Sequence, residues 1–193
     1  MEVHFRRTGE RRYAVVINRK DLPIVEKDPA PGFDPLIPHD LMHLVVESEL
    51  GLTRGIFGQV ASGGNAGSFW VQSTEKKSRD ASRRRRRNVK RGRKLLRAGR
   101  EDCARSERAT YICWYEWLRR SSNAKHRTQA SKMIGEVKHL WLLSPTSEHE
   151  ALNEESIRRV CARLDDLSAR WSRLGIGEKL TVEWPEKLRI SLL

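Results

Sequence analysis

The stretch Glu2-Val3-His4-Phe5-Arg6-Arg7-Thr8-Gly9-Glu10-Arg11-Arg12-Tyr13-Ala14-Val15-Val16-Ile17 opens the chain and decides its fold class. Val3 and Phe5 alternate with His4 and Arg6. Tyr13, Val15 and Ile17 alternate again after the turn-forming Thr8-Gly9-Glu10-Arg11. A period of two on either side of a turn predicts a β-hairpin with one face buried. A third period-two run, Leu180, Val182 and Trp184 with Thr181 and Glu183 between them, predicts a strand that ends before Pro185.

Between hairpin and last strand the apolar period changes to helical. Pro38 stands where a first-turn proline belongs, and a helix over about 38–50 runs to Gly51. Residues 101–120 place Ala109, Ile112, Cys113 and Glu116 on one face and Tyr111, Trp114 and Leu118 on another, the pattern of a buried helix. A third covers about 128–143 and a fourth runs through Ile157, Val160, Leu164, Leu167 and Trp171. Asn153 suits the start of that last helix and Gly175 its end. Residues 22–38, with prolines at 23, 29, 31, 35 and 38, read as an extended connection. Residues 55–61 fit a short helix or a strand equally. The expectation is an α+β fold: a small antiparallel sheet, made of the N-terminal hairpin and the C-terminal strand, packed with three to four helices. Residues 1–193 form one domain on this reading, with a flexible basic insert at about 62–100.

The charge is localised. The net +13 of the 193 residues lies wholly between Lys76 and Arg100, where fourteen Lys and Arg face one acid, Asp80. This tract includes Arg83, Arg84, Arg85, Arg86, Arg87, Lys90, Arg91, Arg93 and Lys94. Five adjacent arginines repel one another, so the tract is expected to be mobile, or helical only at its far end. A cationic arm of this density binds polyanions by counterion release, with nucleic acid the obvious partner. It has no interleaved aromatics for stacking on single strands. The competing expectation is a solvated, solubilising loop.

No apolar run approaches the ~18–20 residues of a membrane helix, and the N-terminus lacks the apolar core of a secretory signal. Cys103, Cys113 and Cys161 are too scattered for a disulfide framework or a zinc knuckle. The chain is therefore expected in the cytoplasm, with no membrane partner.

One segment carries chemistry: His39-Asp40-Leu41-Met42-His43. On a helix, residues four apart share a face, separated by about 6 Å along the axis, and two imidazoles so placed can bind one metal ion. The ion would be Zn2+ or another divalent metal. Asp40 stands where a general base toward a metal-bound water would stand. Glu47 lies on the same side but about 12 Å from His39, which suits it to support His43 from behind or to hold a second metal. For a third ligand, Glu116 is the leading candidate, since a carboxylate among Trp114, Tyr115 and Trp117 needs a cation; the competing expectation, and the favoured one, is an ion pair with an arginine such as Arg120. Glu107 is a weaker candidate. His4, His126, His139 and His149 read as surface residues. Without a metal, His39, Asp40 and His43 would be a hydrogen-bonded helix start, with Asp40 favoured by the helix dipole.

The His39-Asp40-Leu41-Met42-His43 segment resembles the zinc-ligand HDxxH motif of a ubiquinone-biosynthesis family. It also resembles the HExxH helix of zinc-dependent peptidases with Asp in place of Glu. The first resemblance implies a further Glu ligand at position 55, where this chain has Gly55, with Gln59 nearby. Both imply metal ligation by His39 and His43, and the peptidase likeness implies hydrolytic chemistry. The chain as a whole resembles a bacterial family that implies no particular activity.

Overall fold

A computed structural model describes residues 1–71 and 79–185, apart from seven side chains in the first ten residues of the basic helix. Strand β1 (Glu2–Gly9) turns into β2 (Arg12–Arg19), and β3 (Leu22–Ala30) follows. Helix α1 (His39–Glu49) and the short α2 (Ile56–Ala61) lead to β4 (Trp70–Val71). Then come α3 (Arg79–Ala98), α4 (Arg100–Arg120), α5 (Ala124–Leu143), α6 (Thr146–Ala151), α7 (Glu154–Trp171) and β5 (Lys179–Glu183). The fold is α+β.

The sheet is wholly antiparallel, in the order β4-β3-β2-β1-β5. Val3 pairs with Ile17 on one side and with Val182 on the other, so the hairpin and the C-terminal strand share one register. Val3, Phe5, Tyr13, Val15, Ile17, Val25, Leu180 and Val182 are buried on one face, and Glu2, Thr181 and Glu183 alternate with them toward solvent. Side chains of α1, α4 and α7 complete the core, including Leu41, Leu44, Ile112, Leu118, Leu164 and Trp171. Each such side chain contributes roughly 1.5–3 kcal/mol on burial.

Two differences from the sequence expectations have physical causes. The proline-rich stretch after residue 22 is a connection only in part, because Leu22–Ala30 is a strand. It tolerates Pro23 and Pro29 because its pairing with β2 slips once between Leu22 and Val25 and once between Lys27 and Ala30. Each proline, which has no N–H to give, falls in one of those irregularities. Residues 56–61 are helical. The arginine run is helical from Arg79 onward rather than at its far end alone. Successive helical residues point about 100° apart, which spreads adjacent charges around the axis, and arginine is itself a good helix former. Lys76 and Lys77 of the tract, and the side chains of Arg84 and Arg85, lie outside the described residues.

Helix α1 sits at the centre. It packs on α2, α4 and α7, and Asp40 through Glu47 are all buried. Helix α4 lies between α1, α5 and α7. Among the described residues, no helix is long and apolar enough to cross a membrane.

Candidate metal centre

Helix α1 begins at a tight approach. Gly32 has φ +74°, a conformation that strains any residue with a Cβ. Its carbonyl accepts from the His39 amide at 3.2 Å. A Cβ at Gly32 would lie 2.7 Å from Cβ of His39. Gly32 thus sets the position of the first histidine. One turn on, His43 stacks edge-to-face against it, with ring centroids 4.6 Å apart.

Glu107 arrives from α4. Its carboxylate Oε2 lies 3.5 Å from Nε2 of His43. His39, His43 and Glu107 each offer a ligand atom within 4.8 Å of the others, so the group could hold a metal ion. Burial is graded across it: His43 is buried, His39 half-buried and Glu107 exposed. The centre therefore backs onto the core and opens toward solvent at Glu107.

The imidazole of His43 is oriented from behind. Ser106 donates its hydroxyl proton to Glu47 Oε1 at 2.9 Å. The Ser106 oxygen is then left to accept from Nδ1 of His43, also at 2.9 Å, with Thr110 Oγ1 at 3.2 Å beside it. A proton on Nδ1 leaves Nε2 with its lone pair free. Nε2 is buried and makes no hydrogen bond among the described residues. Buried polar atoms are normally satisfied, so this one marks the site.

Glu47 is wholly buried and accepts three hydrogen bonds: from Ser106, from the Ile56 amide at 2.7 Å and from the Phe57 amide at 2.9 Å. It caps α2 as well as holding Ser106. Gly55 makes room, since a Cβ there would lie 2.5 Å from the Glu47 carboxylate. Burial pushes the Glu47 carboxyl up to about 7, against the pull of its three donors. Burial, and then the neighbouring His43, lowers His39, which favours the neutral imidazole that a metal needs. The approach of His43 leads the causes that hold Glu107 below the usual carboxylate range.

Two sequence expectations are placed elsewhere. Glu116 does not approach the histidines. It accepts from Arg119 Nη2 at 2.6 Å and from Arg120 Nε at 3.2 Å, which realises the ion-pair alternative. Glu107 and Glu116 are nine residues apart on α4, about 13.5 Å along the axis and half a turn around it, so they cannot share one ion. Asp40 also points away from the ligand group. Its carboxylate accepts from Lys27 Nζ at 2.8 Å and from the Tyr13 hydroxyl at 2.8 Å, and it is buried. That hydroxyl also lies 2.6 Å from the Pro31 carbonyl oxygen. Burial and then Asp40 raise the Tyr13 phenol. Lys27 in turn lies over the ring of Phe69, 4.9 Å from its centroid. This network ties α1 to β2 and β3, and it pairs the Asp40 carboxylate with the Lys27 ammonium.

The sequence carries a signal for Glu107. Cys103, Ser106, Glu107 and Thr110 form a small, polar stripe at helical spacing on the α4 face that meets α1. Small hydroxylic residues on a buried helix face signal a polar partner across the interface. No family model, no curated protein and no solved structure matches the chain.

Proposed function

We propose that this protein binds one divalent metal ion, zinc foremost, through Nε2 of His43, His39 and the carboxylate of Glu107, and that the bound ion serves hydrolytic chemistry. The observation that carries the reading is Nε2 of His43: buried, without a hydrogen bond, and aimed at Glu107 while its own Nδ1 is held through Ser106 by Glu47. Carboxylate-backed histidines of this kind are characteristic of metal ligands. Two imidazoles and one carboxylate form the donor set of catalytic zinc sites, which keep one coordination position for water or substrate. Among the described residues no fourth His, Cys, Asp or Glu joins the group, and Glu107 faces solvent. An ion held there would acidify a bound water and polarise a substrate oxygen.

Zinc titration in competition with a chromophoric chelator tests this reading. The chain should take up one equivalent. His43→Ala and Glu107→Ala should each weaken binding at least a hundredfold, and Glu116→Ala should leave it unchanged. Equal affinity in all three variants would contradict the assignment.

A second reading concerns the basic tract and can hold alongside the first. We infer that α3 binds polyanions. Every Lys and Arg of α3 whose side chain is described is exposed, and no acid occurs between Ala81 and Arg100. Retention on heparin that is lost on deleting 76–94 supports it, and equal retention by the shortened chain contradicts it.

A further inference from the structure

The cations of α3 are not spread evenly round the helix. At about 100° per residue, Arg83, Arg86, Arg87, Lys90, Arg93, Lys94 and Arg97 fall within one sector of about 120°. All seven are exposed. Among the described residues none of the seven pairs with an acid. The opposite side faces the body: Gly92 is buried, and a Cβ there would lie 3.0 Å from Asn65 Oδ1, while a Cβ on Gly64 would lie 3.1 Å from the Leu95 side chain. The helix is docked along its back and presents a straight rail of seven cations about 21 Å long.

We propose that this rail is a docking surface for duplex DNA, with α3 lying along the major groove and its cations on the phosphates of both flanking strands. The proposal rests on the polyanion reading above and specifies the partner. An α-helix with its side chains is about 10–12 Å across and matches the ~12 Å major groove of B-form DNA. A-form RNA has a major groove too narrow to admit it. Single strands are bound by stacking bases on aromatic rings, and α3 has no aromatic residue. A rigid row of charges complements phosphates held at fixed spacing. The docking is sequence-independent, because it rests on phosphate contacts.

The test uses the full chain and fluorescence anisotropy with four probes: a 20-base-pair DNA duplex, the single strand of the same length, the matching RNA duplex, and heparin. Arg86→Gln/Arg87→Gln/Lys90→Gln/Lys94→Gln removes four charges from the rail. Lys20→Gln/Lys125→Gln/Lys132→Gln/Lys138→Gln removes four exposed charges elsewhere, and circular dichroism checks that both variants fold. The wild-type chain should prefer duplex DNA, and log K should fall against log salt with a slope of about −6, as about seven phosphate contacts require. The rail variant should lose at least a hundredfold in affinity, its slope falling to about −3, while the control variant loses less than threefold. Equal loss in the two variants, or equal or tighter binding of single-stranded DNA or RNA duplex, overturns the proposal and leaves the polyanion reading standing. Failure to bind any of the four, heparin included, overturns both.

Discussion

Ser106 Oγ lies 2.9 Å from Glu47 Oε1 and 2.9 Å from Nδ1 of His43, so one hydroxyl joins a wholly buried carboxylate to the buried histidine of the candidate metal centre. The relay crosses from α1 to α4 and back. With Ser106 donating to Glu47, it favours the proton on Nδ1 of His43 and hence a lone pair on Nε2.

Ser106→Ala removes that link without touching a ligand. Thr110, at 3.2 Å, is then the remaining partner of Nδ1. Loss of an outer partner of a metal-bound histidine costs about 10–100-fold in affinity. Zinc affinity should therefore fall by that factor, with stoichiometry kept at one, as read by chelator competition. An unchanged affinity would mean that the relay does not orient His43.

The Glu47 carboxyl predicts how stability varies with pH. Its folded value, about 7, lies above the ordinary 4.5. The protonated form is favoured by folding, so this contribution is complete below about pH 4.5 and is lost as pH rises through about 7. The displacement corresponds to roughly 3 kcal/mol. Glu47→Gln keeps the shape and removes the titration. Urea unfolding of the metal-free chains at pH 5 and pH 8 should show the difference between wild type and variant moving in the variant's favour by about that amount at the higher pH. A difference independent of pH would place the Glu47 carboxyl at its ordinary value.

Gly32→Ala should be destabilising by about 1–2 kcal/mol from the positive φ alone, and by more where the new Cβ meets His39 at 2.7 Å. Because the clash is with a ligand residue, zinc affinity should fall together with the melting temperature. Gly51→Ala is the control. Gly51 also has positive φ, but its added Cβ meets nothing within 4 Å, so it should lower stability alone.

Asp40→Asn separates fold from chemistry. The change leaves Lys27, whose side chain is 11% exposed, without its carboxylate. Breaking one partner of a buried pair costs about 3–5 kcal/mol. Thermal unfolding should register a loss of that order, while the folded variant still binds one zinc. Loss of zinc with no loss of stability would return Asp40 to the metal site.

The sheet was legible because a period of two survives any packing arrangement: Val3, Phe5, Tyr13, Val15 and Ile17 show it on their own. Strand β3 was hidden by Pro23 and Pro29, which usually exclude a strand and here sit where the pairing slips. The histidine pair was legible because four-residue spacing puts both rings on one face whatever lies opposite. The third group of the cluster was not, because it depends on which face of α4 meets α1. Glu116 stood out by its aromatic neighbours in sequence. In three dimensions, however, Arg119 and Arg120 lie within one turn of it and satisfy it locally. The support of His43 by Glu47 was foreseeable in kind, but its route through Ser106, 59 residues away in sequence, was not.

Zinc K-edge X-ray absorption on the protein loaded with one equivalent of zinc reads the ligands of the metal centre. Ligation by His39, His43 and Glu107 gives nitrogen and oxygen neighbours at about 2.0–2.1 Å, with outer-shell scattering from two imidazoles and no sulfur. The same spectrum on His43→Ala should show at most one imidazole. A sulfur neighbour at about 2.3 Å would move the metal to a cysteine such as Cys103. Failure to retain zinc at all would leave His39, His43 and Glu107 as a polar cluster of the fold and contradict the metal reading.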